Sequence, residues 1–265
     1  MGNQGDFLEL LKERGYAFGT PGPVTSIDPS GRGLAPDITR ATTILAMKFR
    51  DGVLVAGDRR ATAGNMVMYD RTDKVLELDR YCVLAIAGVP ATAFEMVRIL
   101  EHSFKYYRRS QLQEMSFDGK LRALSKLLKE NVPAALAGTG AVVPVFAGYD
   151  TDQETAKIFF YDILGAEFEG AEYAVSGSGS PTIRGILHYM NRWGERPLQE
   201  LAEEEAIVLV LRLLNSAAEF DSATGGINPE LDLYPIVKRI TKEGVATLQL
   251  ECLKPLFESK VARHV

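Results

Sequence analysis

The sequence is poor in residues that staple, ligate or anchor. Its only cysteines, Cys82 and Cys252, supply neither a disulfide framework nor metal-ligand spacing. That usage fits a reducing compartment, with the cytoplasm as the default. The three histidines, His102, His188 and His264, fall on helical patterns or at the tail. With no Ser or Cys motif and no metal spacing around them, they read as structural or solvated, and no metal or cofactor is expected. An excess of positive charge is missing too. Lys and Arg total 30 against 35 Asp and Glu, a net charge of -5, which argues against nucleic acid as a partner. No stretch reaches the roughly 18 apolar residues of a membrane span. The amino terminus lacks a basic region followed by an apolar run, and Asp6 stands where a myristoylation signal needs Ser or Thr. A soluble protein with no membrane partner is expected.

The remaining composition is that of an ordinary globular chain: 46% hydrophobic, 25% charged, with 24 glycines in 265 residues. This length suits one large domain with an appendage. Residues 6–14, DFLELLKER, place Phe7, Leu8, Leu10 and Leu11 at helical spacing, a short amphipathic segment able to dock on a surface. Residues 19–37 then hold four prolines and four glycines with little apolar periodicity, as an extended linker does. The leader therefore ends near Arg40.

From Thr42 the pattern changes to short strands. TTILAMKF and VLVAGD flank an Asp51-Gly52 turn signal and read as a hairpin. KVLELD and YCVLAIAG form the next pair. Two amphipathic helices follow, at 91–109 and 119–132, each expected to lay one face on a sheet. A second strand group covers VVPVFAGYD, KIFFYDI and YAVSGSG. Pro181 then opens a helix, residues 198–220 read as one long buried helix, and a strand pair around YPIVKRIT and GVATLQL closes the chain. The acidic run Glu203 to Glu205 suits an exposed first helical turn. Strands segregated from helices favour two stacked antiparallel sheets with helices on both outer faces.

Three local features carry chemistry. GDRRAT at 57–62 follows a strand, Lys74 opens the next, and glycine-rich turns occur at SGSGS (176–180) and DSATGG (221–226). Each alone has an ordinary explanation. A Thr-Thr pair is a good strand start, Lys74 and Asp58 suit a solvated strand end, and SGSGS suits a flexible turn. Together they are specific. Asp58 lies 16 residues after Thr42, and Lys74 lies 16 after Asp58. That spacing, with GDRRAT, AIAGV, GSGS and DSATGG in order, resembles the catalytic β subunit of the proteasome, most closely the bacterial type, from Ala41 to about residue 250.

The resemblance implies an α+β fold of the N-terminal nucleophile hydrolases, a four-layer αββα sandwich, and a threonine-type endopeptidase. It implies a propeptide at 1–41, removed by self-cleavage between Ala41 and Thr42, and a peptidase domain at 42–265. Thr42 is then the nucleophile. A hydroxyl needs an adjacent base, and an α-amino group with a pKa of about 7.7–8.0 is better poised than a lysine near ~10.4. Thr42 supplies both groups only once the leader is gone, because in the precursor its nitrogen is an amide. By the same resemblance Lys74 favours the neutral amine and stabilises charge developing at the hydroxyl, and Asp58 holds Lys74. Gly88 offers an oxyanion-binding N–H, its missing Cβ letting the substrate carbonyl approach. Ser178 and Asp221 orient the amine and a catalytic water. Thr224 stands where many relatives have serine and keeps the hydroxyl. Thr62 pairs with the substrate backbone, while Ala61, Thr72, Leu76, Ile86 and Phe94 line a mostly apolar specificity pocket.

Further expectations follow from the resemblance. The partners are proteasome α subunits, further copies of this chain in seven-membered rings stacked as α7β7β7α7, an ATP-dependent ring unfoldase, and polypeptide substrates. The amphipathic spacing of residues 6–14, for its part, leads to the expectation that they dock on neighbouring subunits before removal. Ala41 departs from the glycine usual before the threonine, and slower processing is expected. Two alternatives compete: a simpler two-ring protease that works with a hexameric unfoldase, which lacks the long propeptide and DSATGG, and a β-type subunit with only a structural role in the ring.

Overall fold

The computed structural model describes residues 6–16, 18, 42–63, 66–170 and 172–262. The linker at 19–37, Ala41 and His264 lie outside the described residues. After a short amino-terminal helix, α1 (Phe7–Glu13), the chain runs through β1 (Thr43–Phe49), β2 (Gly52–Gly57), β3 (Ala61–Ala63), β4 (Met66–Tyr69), β5 (Val75–Asp79) and β6 (Cys82–Ala85). Helices α2 (Pro90–Gln111) and α3 (Phe117–Leu136) follow, then β7 (Val145–Asp150), β8 (Thr155–Tyr161), β9 (Glu167–Glu169) and β10 (Tyr173–Gly177). Helices α4 (Ser180–Trp193) and α5 (Glu203–Phe220), strands β11 (Ile236–Thr241) and β12 (Gly244–Thr247), and α6 (Leu250–Lys260) complete the order.

Two five-stranded sheets form, ordered β10-β1-β2-β11-β12 and β5-β6-β7-β8-β9, with antiparallel pairing throughout. The alternation of side chains along each strand divides the interior into three layers. Ile44, Ala46, Val53 and Val55 from one sheet meet Val83, Ala85, Val145, Ala147 and Ile158 from the other between the sheets. On the outer face of the first sheet, Leu45, Met47, Leu54 and Ala56 pack with Ile183, Leu187, Leu211, Leu214 and Phe257 from the helices. On the outer face of the second, Leu84 and Phe146 pack with Met96, Leu100, Leu124 and Leu128. The result is the expected four-layer αββα sandwich. Because β1 is buried on both faces, its apolar run is continuous rather than alternating.

The structure departs from the sequence reading in three places. The stretch expected as one helix at 198–220 opens with a 3-10 turn at Leu198–Glu200, and α5 begins only at Glu203, where the Glu205 carboxylate accepts the Ala202 N–H at 2.9 Å. The chain does not close on the β11–β12 pair: α6 follows, burying Leu253 and Phe257 against the first sheet's outer core, with Pro255 inside it masking the helical signal. And α1 docks on its own chain. Leu8 and Phe18 enter the core of the second sheet, Lys126 pairs with Asp6 at 2.7 Å and with Glu9 at 3.3 Å, Lys12 pairs with Glu130 at 2.6 Å, and Phe7 stacks on His102.

Candidate active site

Thr42 sits immediately before β1, at the edge where that strand lies between β10 and β2. Its carbonyl accepts the Ser178 N–H at 2.9 Å. Gly177, paired with Thr43 across the ladder, makes that approach possible: it has φ +97, and a Cβ there meets the Thr42 carbonyl oxygen at 1.7 Å. The next residue along, Thr43, is fully buried. Two separate hydrogen-bonded units converge on this corner.

The first is centred on Asp58, just past the end of β2. One carboxylate oxygen, Oδ1, accepts Lys74 Nζ at 2.7 Å and the Thr43 N–H at 2.8 Å. The other, Oδ2, accepts the N–H groups of Arg60 and Gly225, each at 2.9 Å. Lys74, which precedes β5, gives a second bond to the Arg60 carbonyl at 2.6 Å. The pair is almost dry, with side-chain exposures of 3% for Lys74 and 0% for Asp58. Burial pushes the Lys74 ammonium below its usual pKa, and the Arg60 charge pushes the same way. The Asp58 carboxylate, helped by Asp221, opposes both. The cost of holding a charge this far from water is offset by its two acceptors, the Asp58 carboxylate and the Arg60 carbonyl.

The second unit is built on Asp221, the residue that ends α5. Its Oδ2 accepts the hydroxyls of Ser178 at 2.6 Å and Thr224 at 2.5 Å, and its Oδ1 accepts the Ala223 N–H at 3.1 Å. The DSATGG turn thus wraps its first aspartate and folds Gly225 back onto Asp58.

A small pocket opens beside these units. Thr42, Lys74 and Gly88 line it together with Arg60, Ala61, Thr72, Ile86, Ala87, Pro90, Ala93 and Phe94. Four of the expected lining residues, Ala61, Thr72, Ile86 and Phe94, are therefore in its wall. The fifth, Leu76, does not line it. Thr62, expected to pair with the substrate backbone, is buried in β3, and Leu76 packs beneath α2 in the same apolar cluster as Ile86, Ala93 and Phe94. Gly88 carries a further correction. Its φ is +118, and the space a Cβ needs is filled by the Ala141 carbonyl oxygen at 2.1 Å. Glycine is required there for backbone packing of the Gly88–Val142 bridge, not to make room for a substrate. That bridge uses the Val89 N–H and the Ala87 carbonyl. Among the described residues, the Gly88 N–H donates to no backbone acceptor.

All seven residues singled out for chemistry, Thr42, Asp58, Lys74, Gly88, Ser178, Asp221 and Thr224, thus gather at one corner, although 182 positions separate the first from the last. Sequence reasoning passed over Thr43, Gly177, Gly179 and Arg60, whose contributions run through backbone atoms or close approach. His102 and His188 lie elsewhere, exposed on α2 and α4. No group of three or more His, Cys, Asp or Glu side chains able to hold a metal occurs among the described residues.

Comparison with known proteins matches residues 38–228 to the family model described as Proteasome subunit. The chain is 38% identical over 247 residues to the Proteasome subunit beta of Streptomyces griseus, covering 88% of this chain and 85% of that one. It is 38% identical over 226 residues to Proteasome subunit beta 2 of Thermomonospora curvata, covering 85% and 78%. With the Proteasome subunit beta of Frankia casuarinae it shares 35% over 248 residues, covering 94% and 84%.

Proposed function

The chain belongs to the proteasome subunit family, and we propose that within it this is a catalytic β subunit, a threonine-type endopeptidase whose active chain begins at Thr42. One observation carries the reading: Lys74, buried against the Asp58 carboxylate, lines one pocket with Thr42 and Gly88. A structural subunit has no use for a dry ammonium at that place, since such a pair is costly to bury.

In the proposed reaction the precursor first cuts itself between Ala41 and Thr42, which turns residues 1–41 into a removable leader. The new α-amino group of Thr42 takes the proton of its own hydroxyl as the hydroxyl oxygen attacks the scissile carbonyl. Lys74, held charged by Asp58, lowers the amine's proton affinity and offsets negative charge growing at the oxygen. The Gly88 N–H donates to the oxyanion. Collapse of the tetrahedral adduct releases the amine half of the substrate with the transferred proton and leaves an ester on Thr42. Water, positioned by Ser178 and Asp221, then hydrolyses that ester and regenerates the hydroxyl. The apolar wall formed by Ala61, Ile86 and Phe94 fits cleavage after hydrophobic residues.

Proteasome β subunits assemble into rings with α subunits, and the surface of this chain supports that membership. Met66, Met68, Tyr189, Trp193 and Phe220 are each between 63% and 79% exposed, and Tyr69 is 56% exposed, on the β3–β4 ribbon and the α4–α5 layer. We take the working particle to be two seven-membered β rings capped by α rings, acting in the cytoplasm on polypeptides fed by an ATP-dependent unfoldase. Ala41, with its methyl group, is expected to slow self-cleavage by less than about tenfold relative to glycine. The test is covalent labelling of assembled particles with an electrophile selective for terminal threonine. An adduct on Thr42 together with peptidase activity, both lost in Thr42→Ala, is expected. Processed particles that hydrolyse nothing and form no adduct favour the structural ring subunit instead.

A further inference from the structure

Thr43 was read from the sequence as an ordinary strand start, yet its side chain and its backbone touch different halves of the site. The hydroxyl accepts the Gly179 N–H at 2.9 Å and lies 2.6 Å from Thr224 Oγ1. The direction of that second bond follows from its neighbours. Thr224 Oγ1 is 2.5 Å from Asp221 Oδ2, and a carboxylate only accepts, so the single Thr224 proton points at Asp221. Thr43 must therefore be the donor to Thr224. The chain runs one way: Gly179 N–H to Thr43, Thr43 to Thr224, Thr224 to Asp221, with Ser178 donating to the same carboxylate oxygen from the other side at 2.6 Å.

The Thr43 backbone belongs to the other unit. Its N–H donates to the Asp58 oxygen that also receives Lys74, and its carbonyl accepts the Asp58 N–H at 3.1 Å. The residue is 0% exposed. Packing space is shaped around its oxygen: a Cβ on Gly179 falls 2.6 Å from Thr43 Oγ1 and 2.8 Å from Thr224 Oγ1, so only glycine lets the two hydroxyls close up.

Resting on the reading of Thr42 as nucleophile, we infer that Thr43 is a positioning residue for the reaction. Its hydroxyl donates into the Thr224–Asp221–Ser178 chain, and its backbone N–H ties that chain to the Asp58–Lys74 pair at the residue bonded to Thr42. It touches no reacting atom. A hydroxyl chain of this kind polarises along its length, and with the Ser178 proton committed to Asp221 the Ser178 oxygen is free to accept.

The experiment uses particles assembled with their α subunits, with active sites counted by the covalent adduct on Thr42. Thr43→Val keeps the branched shape and removes the donor, and Thr43→Ser keeps the donor and removes a methyl. Thr43→Val is expected to lower kcat per titrated site by about tenfold or more with KM within about twofold, and to alter the pH profile of kcat. Thr43→Ser is expected to stay within about threefold of the parent in kcat. If Thr43→Val fails to assemble, Thr43→Cys, whose thiol is a weak donor, takes its place in the comparison with Thr43→Ser. Assembled particles that keep the leader in the donor-less variant, while Thr43→Ser is processed, also support the inference. Equal kcat and pH profiles for the donor-less variant and the parent overturn it, as does Thr43→Ser losing as much as Thr43→Val. Activity persisting in Thr42→Ala contradicts the nucleophile reading itself, a separate failure.

Discussion

Removing Asp58 and removing Lys74 break the same ion pair, but the structure makes the two losses unequal. The Asp58 carboxylate accepts one ammonium and three backbone N–H groups, from Thr43, Arg60 and Gly225. Asp58→Ala leaves all of them without that acceptor. An unsatisfied buried donor costs about 1–3 kcal/mol, a cost that falls in full on the buried Thr43 N–H and in part on the half-buried N–H groups of Arg60 and Gly225. The stranded Lys74 adds a cost on the scale of a broken buried pair, about 3–5 kcal/mol, less whatever its bond to the Arg60 carbonyl retains. These contributions are not additive, but together they rival the whole ~5–15 kcal/mol stability of a typical domain. Lys74→Met is milder, because the carboxylate it abandons keeps three N–H donors. A cost of about 1–3 kcal/mol is expected. The comparison is made by denaturant unfolding of full-length chains carrying Thr42→Ala, so that every variant retains its leader. The expected outcome is that Lys74→Met folds with a modestly lower midpoint, whereas Asp58→Ala is at least about 3 kcal/mol worse or does not fold. Equal stability of the two variants refutes the view that Asp58 is first a backbone organiser and second a partner for Lys74.

Other predictions follow from neighbouring details. Gly88→Ala forces a side chain into a φ of +118 and against the Ala141 carbonyl, a strain of about 1–2 kcal/mol from the backbone alone. Lowered thermal stability and loss of electrophile labelling are expected, and a fully labelled, unshifted variant contradicts the bridge geometry. The proposed reaction needs a neutral Thr42 amine and a charged Lys74, so its rate rises as the amine deprotonates and falls as pH climbs through the Lys74 pKa. Burial holds that pKa below the ordinary 10.5, so the basic limb of the labelling rate belongs below pH 10.5, and a rate still flat above that value counts against the role given to Lys74. Leu8→Ala removes a side chain buried to 5% exposure in the α2–α3 core, at a cost of about 2–5 kcal/mol if the site does not collapse. Limited proteolysis of the precursor is expected to clip the leader faster in this variant, and an unchanged rate contradicts the docking of α1.

Much of this architecture was legible in the sequence because hydrophobic periodicity reports burial directly. The runs at Thr43–Phe49 and Gly52–Gly57 and the spaced leucines of α3 were placed within a few residues. Where a helix contains proline, as α6 does, or where a 3-10 turn precedes it, as before α5, the period is interrupted and the boundary is lost. At the site, residue types that advertise chemistry could be picked out by spacing and resemblance. Asp58, Lys74, Ser178 and Asp221 gather as expected. Thr43, Gly177 and Gly179 could not be picked out, because backbone N–H groups, a carbonyl approached at close range and a hydroxyl's proton direction leave no pattern in one dimension. The same limit explains Gly88, whose glycine answers to the Ala141 carbonyl 53 positions away.

The central claim is that residues 1–41 are a leader and Thr42 is the first residue of the working enzyme. Amino-terminal sequencing and intact mass of the β chain from assembled particles, with Thr42→Ala in parallel, address it most directly. The account predicts a chain that begins Thr42-Thr43-Ile44 in the parent and an uncut junction in Thr42→Ala. A parent chain still joined to Ala41 in fully assembled, peptidase-active particles contradicts it.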